Sequence, residues 1–233
     1  MTIWILYKKL IKNIFIIYKM EKIKTLYNID FDNEYYKNYQ DIILDIFDND
    51  NLNYDLSDKN ILNIIGLYYG CKIKNYDEMK KYFLMSIKLN NDDAMFNLGS
   101  YYANIEKNYD EMKKYYLMAI ELKNCNAMNN LGYYYQFIDQ NYDEMKKYYL
   151  MAIELNNTYA MFCLGLHYQY FEINYSEMKN YYLMAIELKN IDAMFNLGYY
   201  YDVEQNYDEM KKYYLMAVEL NHVCAMHNLG LYY

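Results

Sequence analysis

Proline and arginine are absent from this chain, histidine occurs three times and glycine seven times in 233 residues. The missing arginine, a formal net charge of −8 and a pI near 5.0 weigh against a nucleic-acid partner, because a phosphate backbone must be neutralised by clustered cations. No uncharged apolar run reaches about 18 residues, so no transmembrane segment is expected. The four cysteines, Cys71, Cys125, Cys163 and Cys224, contain no Cys-x-x-Cys pair. They read as small buried side chains in a reducing compartment, which places the chain inside the cell, in the cytoplasm. The opening MTIWILYKKL is apolar, but Lys8, Lys9 and Lys12 interrupt it and no small-residue cleavage site follows, so it is not read as a signal peptide. Met20 offers a second start, which would make residues 1–19 an upstream extension. Neither a phosphate-binding glycine loop nor a Gly-x-Ser-x-Gly turn is present. His222, Cys224 and His227 lie close in sequence, yet a helix puts 222 and 224 on different faces and no fourth ligand is evident. The reading is a chain without catalytic residues, metal site or cofactor.

What the sequence does have is a period. Gly66, Gly99, Gly132, Gly165, Gly198 and Gly230 are spaced 33, 33, 33, 33 and 32 residues apart. NYDEMKKYYLMAIEL stands unchanged at 108–122 and 141–155, with near copies from Asn75, Asn174 and Asn206. Internal duplication produces such a pattern, and each period is one supersecondary unit. Two helical segments fit inside it. Helix A reads AMFNLGSYY at 94–102, where Ala94, Leu98 and Tyr102 share one face. Helix B reads YDEMKKYYLMAIEL at 109–122. Met112, Tyr115, Tyr116, Ala119 and Leu122 form its apolar face, and Asp110 and Lys114 form an i, i+4 ion pair.

The helix ends are marked as well. Asn108 followed by Glu111 predicts a capping box at the start of helix B, repeated at Asn75/Glu78, Asn141/Glu144, Asn174/Glu177 and Asn206/Glu209. Asn91, Asn124, Asn157 and Asn190 precede helix A, where asparagine serves both capping and left-handed turns. A glycine inside helix A costs roughly 1 kcal/mol, so it needs a reason. Close approach of helix B is the simplest one, with Ala119, Ala152, Ala185 and Ala217 as the matching small surface. Met95, Leu98, Tyr102, Tyr116 and Leu117 would then fill the space around that contact. The carboxylate pairs recur in every unit, which suits capping and surface better than acid–base chemistry.

The order Ala94, Leu98, Gly99, Tyr102, then Asp110, Tyr116, Ala119, resembles Sel-one-like and tetratricopeptide repeats over about 60–233. The Ala-Met-x-x-Leu-Gly opening is more Sel-one-like, while the period is near the tetratricopeptide length. The resemblance implies an all-α fold, an α–α superhelix or solenoid of helix–turn–helix units, with helix A lining a concave partner groove. Carried onto this chain, the candidate groove residues are Asp93, Phe96, Asn97 and Ser100; Asn126, Asn129, Asn130 and Tyr133; Tyr159, Phe162 and Leu166; and Asp192, Phe195, Asn196 and Tyr199. Aromatic rings between amides suit a peptide. Packing between repeats is the other reading of Phe96, Phe162 and Phe195. Helix A has no basic residue at groove positions, which disfavours a carboxylate clamp.

The expected organisation is a basic segment 1–27, an acidic segment 28–59 with a helix around 34–47, and repeats at about 60–90, 91–123, 124–156, 157–189 and 190–221. A half repeat, 222–233, follows. Asp58 or Ser57 would cap the first helix A. The basic segment, with six lysines and one glutamate, reads either as a helix over the exposed end of the stack or as an element lying on an anionic membrane. The last helix A, HNLGLYY, has no helix B to cover it, so it is either a cap, the end of a truncated array, or a surface for homo-oligomerisation. The function these features point to is a non-catalytic scaffold or adaptor that binds a partner protein or peptide. Helical-repeat RNA binding, and a recently duplicated product with little selected function, are the alternatives.

Overall fold

The computed structural model describes Met20 and residues 38–233. The readings of 1–19 as an extension, of 1–27 as an end cap or membrane element, and of the start of the 34–47 helix lie outside the described residues. Among the described residues every regular element is helical, and the chain divides into two compact units that meet in sequence at Leu122/Lys123.

The first unit contains α1 (Gln40–Asn49), α2 (Lys59–Leu67), α3 (Tyr76–Lys88), α4 (Asp92–Tyr101) and α5 (Tyr109–Glu121). A π-helical turn extends α2 over Tyr68–Ile73, and another extends α4 over Tyr102–Glu106. The second unit contains α6 (Cys125–Phe137), α7 (Tyr142–Ile153), α8 (Thr158–Tyr170), α9 (Tyr175–Glu187), α10 (Ile191–Val203), α11 (Tyr207–Glu219) and α12 (Val223–Tyr232). Even-numbered helices are the A segments and odd-numbered ones from α3 the B segments. Each A helix that is followed by a B helix packs chiefly on it, within a unit each B helix packs on the next A helix, and the last A helix, α12, packs on α11.

Sequence spacing explains the packing. On α5, Met112, Tyr115, Tyr116, Ala119 and Ile120 are buried, at helical intervals of three and four. The core face therefore ends on Ile120, not on Leu122, which is exposed. Leu117 also faces outward, as do its counterparts Leu84, Leu150, Leu183 and Leu215. The run YYLMAI is apolar all the way round, so periodicity alone could not choose between adjacent residues; the bulk of Tyr116 takes the interior place. In each hairpin a tyrosine of helix A stacks nearly parallel on one of helix B. Tyr102 lies over Tyr115, Tyr135 over Tyr148, Tyr168 over Tyr181 and Tyr201 over Tyr213, with centroids 5.6–5.8 Å apart. This repeated pair accounts for part of the tyrosine content.

The glycines meet rings. A Cβ on Gly99 would stand 2.6 Å from Tyr116, one on Gly132 2.7 Å from Tyr149, and one on Gly165 2.4 Å from Tyr182. The ring, rather than the fully buried Ala119, Ala152, Ala185 or Ala217, lies against the glycine. Gly66 meets Phe83 and Gly198 meets Tyr214 in the same way, while nothing lies within 4 Å of a Cβ on Gly230.

No glycine has positive φ. The left-handed residue that ends each helix before α12 is instead Lys, Asn, Gln, Asp or, at position 173, Ile with φ 50°. Such a conformation costs a residue with a Cβ roughly 1 kcal/mol or more. The next residue is the cap. Asn75, Asn108, Asn141, Asn174 and Asn206 accept from the amide three residues on. Closing one helix and opening the next thus falls to two adjacent residues rather than one asparagine. Only half of each expected capping box forms. The Asn108 amide donates to the Tyr102 carbonyl at 2.9 Å, so Glu111 turns to Lys114 at 2.9 Å. That i, i+3 pair replaces the expected Asp110–Lys114 contact; Asp110 lies 3.6 Å from Lys113. Asp58, not Ser57, caps α2. His222 caps α12, its Nδ1 accepting from the Ala225 amide at 3.1 Å.

Candidate functional site

The A helices carry the candidate residues, and within each unit those residues divide into buried and accessible groups. In the first unit Phe96 stacks on Tyr116 at 5.8 Å. Asn97 donates to Asn63 Oδ1 at 3.1 Å, and Ser100 shares a hydrogen bond with the Tyr116 hydroxyl. Asp93 is half-buried. These four mostly tie α4 to its neighbours.

The second unit has a more accessible face. Tyr133 on α6, Tyr159 on α8 and Tyr199 on α10 are 51%, 50% and 43% exposed. Phe162 and Phe195 are half-buried, stacked on Tyr182 and Tyr214 at 6.0 and 5.8 Å. Packing is therefore one role of these phenylalanines. Phe195 also stacks on His222 at 4.7 Å. Leu166 is half-buried, and Asn126, Asn130 and Asp192 are exposed. Asn196 donates to its own helix at the Asp192 carbonyl. Asn129 is buried, with its amide donating to Asn157 Oδ1 at 3.0 Å and its own Oδ1 without a partner. It stands in the register of Phe96, Phe162 and Phe195, so this repeat lacks the ring that covers the helix B tyrosine elsewhere.

At the centre of the face, α8 replaces the amide of its neighbours. Cys163 occupies the register of Asn97, Asn130 and Asn196. Burial pushes its thiol up to about 11, against hydrogen bonds from Tyr149 and Tyr159 that pull it down. The Tyr159 hydroxyl is pushed up to about 12, first by Cys163 and then by burial. A thiol held protonated in this way is a poor nucleophile at neutral pH. The centre is thus Tyr159, Phe162, Cys163 and Leu166, rimmed by amides and Asp192. All four cysteines are free thiols. Cys224 is exposed and His222 is engaged as a cap. Among the described residues no group of three His, Cys, Asp or Glu is placed to hold a metal, and no helix is long and apolar enough to cross a membrane.

His167 is the residue that sequence reasoning passed over. It replaces the tyrosine found at this register in other repeats, among them Tyr101, Tyr134 and Tyr200. It is fully buried, stacked on Phe171 at 5.5 Å and tilted against Tyr142, with Nδ1 unpartnered. Nε2 lies 3.2 Å from Glu172, which Lys146 also holds. Burial lowers the imidazole below its ordinary 6.5, with Glu172 opposing. The unfolded chain therefore binds this proton more readily, and stability falls as pH drops from 6.5 through the lower folded value. His167→Tyr restores the residue of the other repeats, whose Tyr101 reaches Glu106 at 2.8 Å. Its melting temperature is expected to vary less than that of the native chain between about pH 7 and 5. Equal slopes in thermal melts would contradict this account.

The comparisons agree with the geometry. The tetratricopeptide repeat family model matches residues 191–222, which span α10 and α11. A Sel1 repeat protein from Oxalobacter formigenes superposes with a TM-score of 0.66 at 23% identity, covering 91% of this chain and 89% of that one. The fold is that of the Sel1 and tetratricopeptide helical repeats. The immunity protein Pa5087 of Pseudomonas aeruginosa gives a TM-score of 0.50 at 17% identity, over 69% of this chain and 68% of its own. MamA gives 0.50 at 24%, over 66% and 93%. No curated protein sequence matches the chain. Sel1 and tetratricopeptide folds generally serve as scaffolds for protein–protein contact, and the alternation of A and B helices here is the arrangement those repeats use.

Proposed function

We propose that this Sel1-like array is a non-catalytic scaffold that holds a partner protein or peptide on the A-helix face of its second unit. One observation carries the reading: on α8 the exposed Tyr159 and the half-buried Phe162 and Leu166, beside the buried Cys163, lie between helices α6 and α10 that present amides and a further exposed tyrosine each. Apolar centres with polar rims are how protein interfaces concentrate their binding energy. Fold-level analogy adds to this but does not locate the face.

Tyr159 and Tyr199 make the cleaner test, since Phe162 and Phe195 also pack against the B helices. The double variant Tyr159→Ala, Tyr199→Ala is expected to keep its helical circular dichroism. A partner identified by affinity purification from the native cell should then bind at least about a hundredfold more weakly in titration calorimetry, a typical loss for two such anchors. Undiminished affinity in a folded variant would remove the A-helix face from the proposal.

A further inference from the structure

The B helices carry a second feature, independent of the A-helix face. Four of the five place a lysine three residues after the first-turn glutamate. Lys81, Lys114, Lys147 and Lys212 pair with Glu78, Glu111, Glu144 and Glu209 at 2.8–2.9 Å. The same ammonium groups sit over the ring of the next residue, Tyr82, Tyr115, Tyr148 and Tyr213, at 4.6–5.2 Å from its centre. In α9 the lysine is replaced by Asn180, which can do neither. Glu177 makes no ion pair among the described residues. Tyr168 stacks on the Tyr181 ring, but that ring lacks the lysine that sits over its counterparts in the other four B helices.

This substitution falls at a groove. Between α7 and α9, both in the second unit, lies an open depression of about 480 Å³ whose walls include Leu150, Ile153, Leu183 and Met184, with Glu177 and Glu187 beside them. Leu150, Leu183 and Met184 are 43%, 40% and 39% exposed. Nearby lysines are engaged elsewhere: Lys147 with Glu144, and Lys179 over Tyr200. An apolar floor with two carboxylates and an aromatic face at its edge matches one chemistry, aliphatic side chains next to a cation.

We propose that the α7/α9 groove docks a lysine-bearing amphipathic helix of a partner protein. Its aliphatic side chains lie against Leu150, Ile153, Leu183 and Met184. Its lysine takes, between Glu177 and Tyr181, the place that the array's own lysine holds in the other four B helices. The substitution that opens this place is therefore the device that makes one groove of the array selective for a basic ligand.

The test uses the full chain and a fluorescein-labelled peptide of leucine and lysine at helical spacing, about five turns long, followed by fluorescence anisotropy. A counterpart with glutamate for lysine is expected not to bind. Asn180→Lys refills the place with the residue the other repeats tolerate and is expected to weaken the lysine peptide at least about tenfold. Asn180→Gln, and Asp208→Asn as a loss of one negative charge elsewhere in the unit, should stay within about twofold. If Asn180→Lys bound like the native chain, or Asp208→Asn lost as much, the attraction would be the general negative charge and the groove would play no part. The Tyr159→Ala, Tyr199→Ala variant should bind the peptide normally; loss of binding there would move the peptide to the A-helix face and overturn the groove assignment.

Discussion

Replacing Gly165 with alanine is expected to lower the stability of the array by about 2 kcal/mol, whereas the same change at Gly230 is expected to raise it by up to about 1 kcal/mol. Both glycines stand in equivalent register of an A helix and forgo the helix propensity of alanine, although Gly230 lies in the last turn of α12, so about 1 kcal/mol is the upper value of its gain. They differ in what a methyl group would meet. At Gly165 it would stand 2.4 Å from two ring carbons of Tyr182. That ring is fully buried, its hydroxyl donates to Gln169 Oε1 at 2.6 Å, and Phe162 stacks on it. It has nowhere to retreat without breaking a buried hydrogen bond or moving α9. Overpacking of this kind costs typically 1–3 kcal/mol and occasionally more, which outweighs the propensity gain. At Gly230 nothing stands within 4 Å, so only the propensity term remains. Chemical denaturation of the two variants measures the difference, and equal shifts of the same sign would refute the ring contact as the reason for the glycine.

The repeat, its two helices and the capping asparagines were all legible in the sequence, because a period repeated five times fixes register without any knowledge of neighbours. The partner of the glycine was not. Tyr116 and Ala119 lie on one face of helix B, and only the distance between helices decides which one reaches Gly99. The same limit applies to Leu117 and Leu122, whose apolar character says nothing about which side of an all-apolar run faces inward. The capping box failed for a different reason. The left-handed residue before each asparagine delivers the asparagine amide to a carbonyl of the preceding helix, and that geometry carries no glycine to announce it. For the candidate face, the exposed Tyr133, Tyr159 and Tyr199 were visible as positions in the repeat. That Asn129 and Asn97 are spent on neighbouring asparagines was not, since both partners lie about one repeat away. His167 and Asn180 could have been found earlier as departures from the repeat's own consensus. In a duplicated array the informative residues are the ones that break the copy.

The asparagine caps show how position within the stack sets the value of one side chain. Asn91→Ala is expected to cost about 3 kcal/mol and Asn108→Ala about 1 kcal/mol, although both asparagines cap a helix through the amide three residues on. Asn108 is exposed and makes the single cap bond, Glu111 amide to Oδ1 at 3.2 Å. Asn91 is 1% exposed and makes three bonds. Its Oδ1 accepts from the Ala94 amide at 2.9 Å, while its Nδ2 donates to the Lys59 carbonyl at 3.2 Å and to Asn60 Oδ1 at 3.0 Å. The cap is worth about the same at both sites. The remainder comes from the two lateral bonds, which join α4 to the start of α2 in an interior where lost partners are not replaced by water. Asn91→Ser separates the contributions, because serine keeps a cap acceptor but has no amide to donate sideways. It should fall about 2 kcal/mol below the native chain and about 1 kcal/mol above Asn91→Ala in denaturant unfolding. Were serine to restore nearly all of the native stability, the two lateral bonds of Asn91 would be dispensable, and apolar packing with the Asn97–Asn63 bond would suffice to join these hairpins.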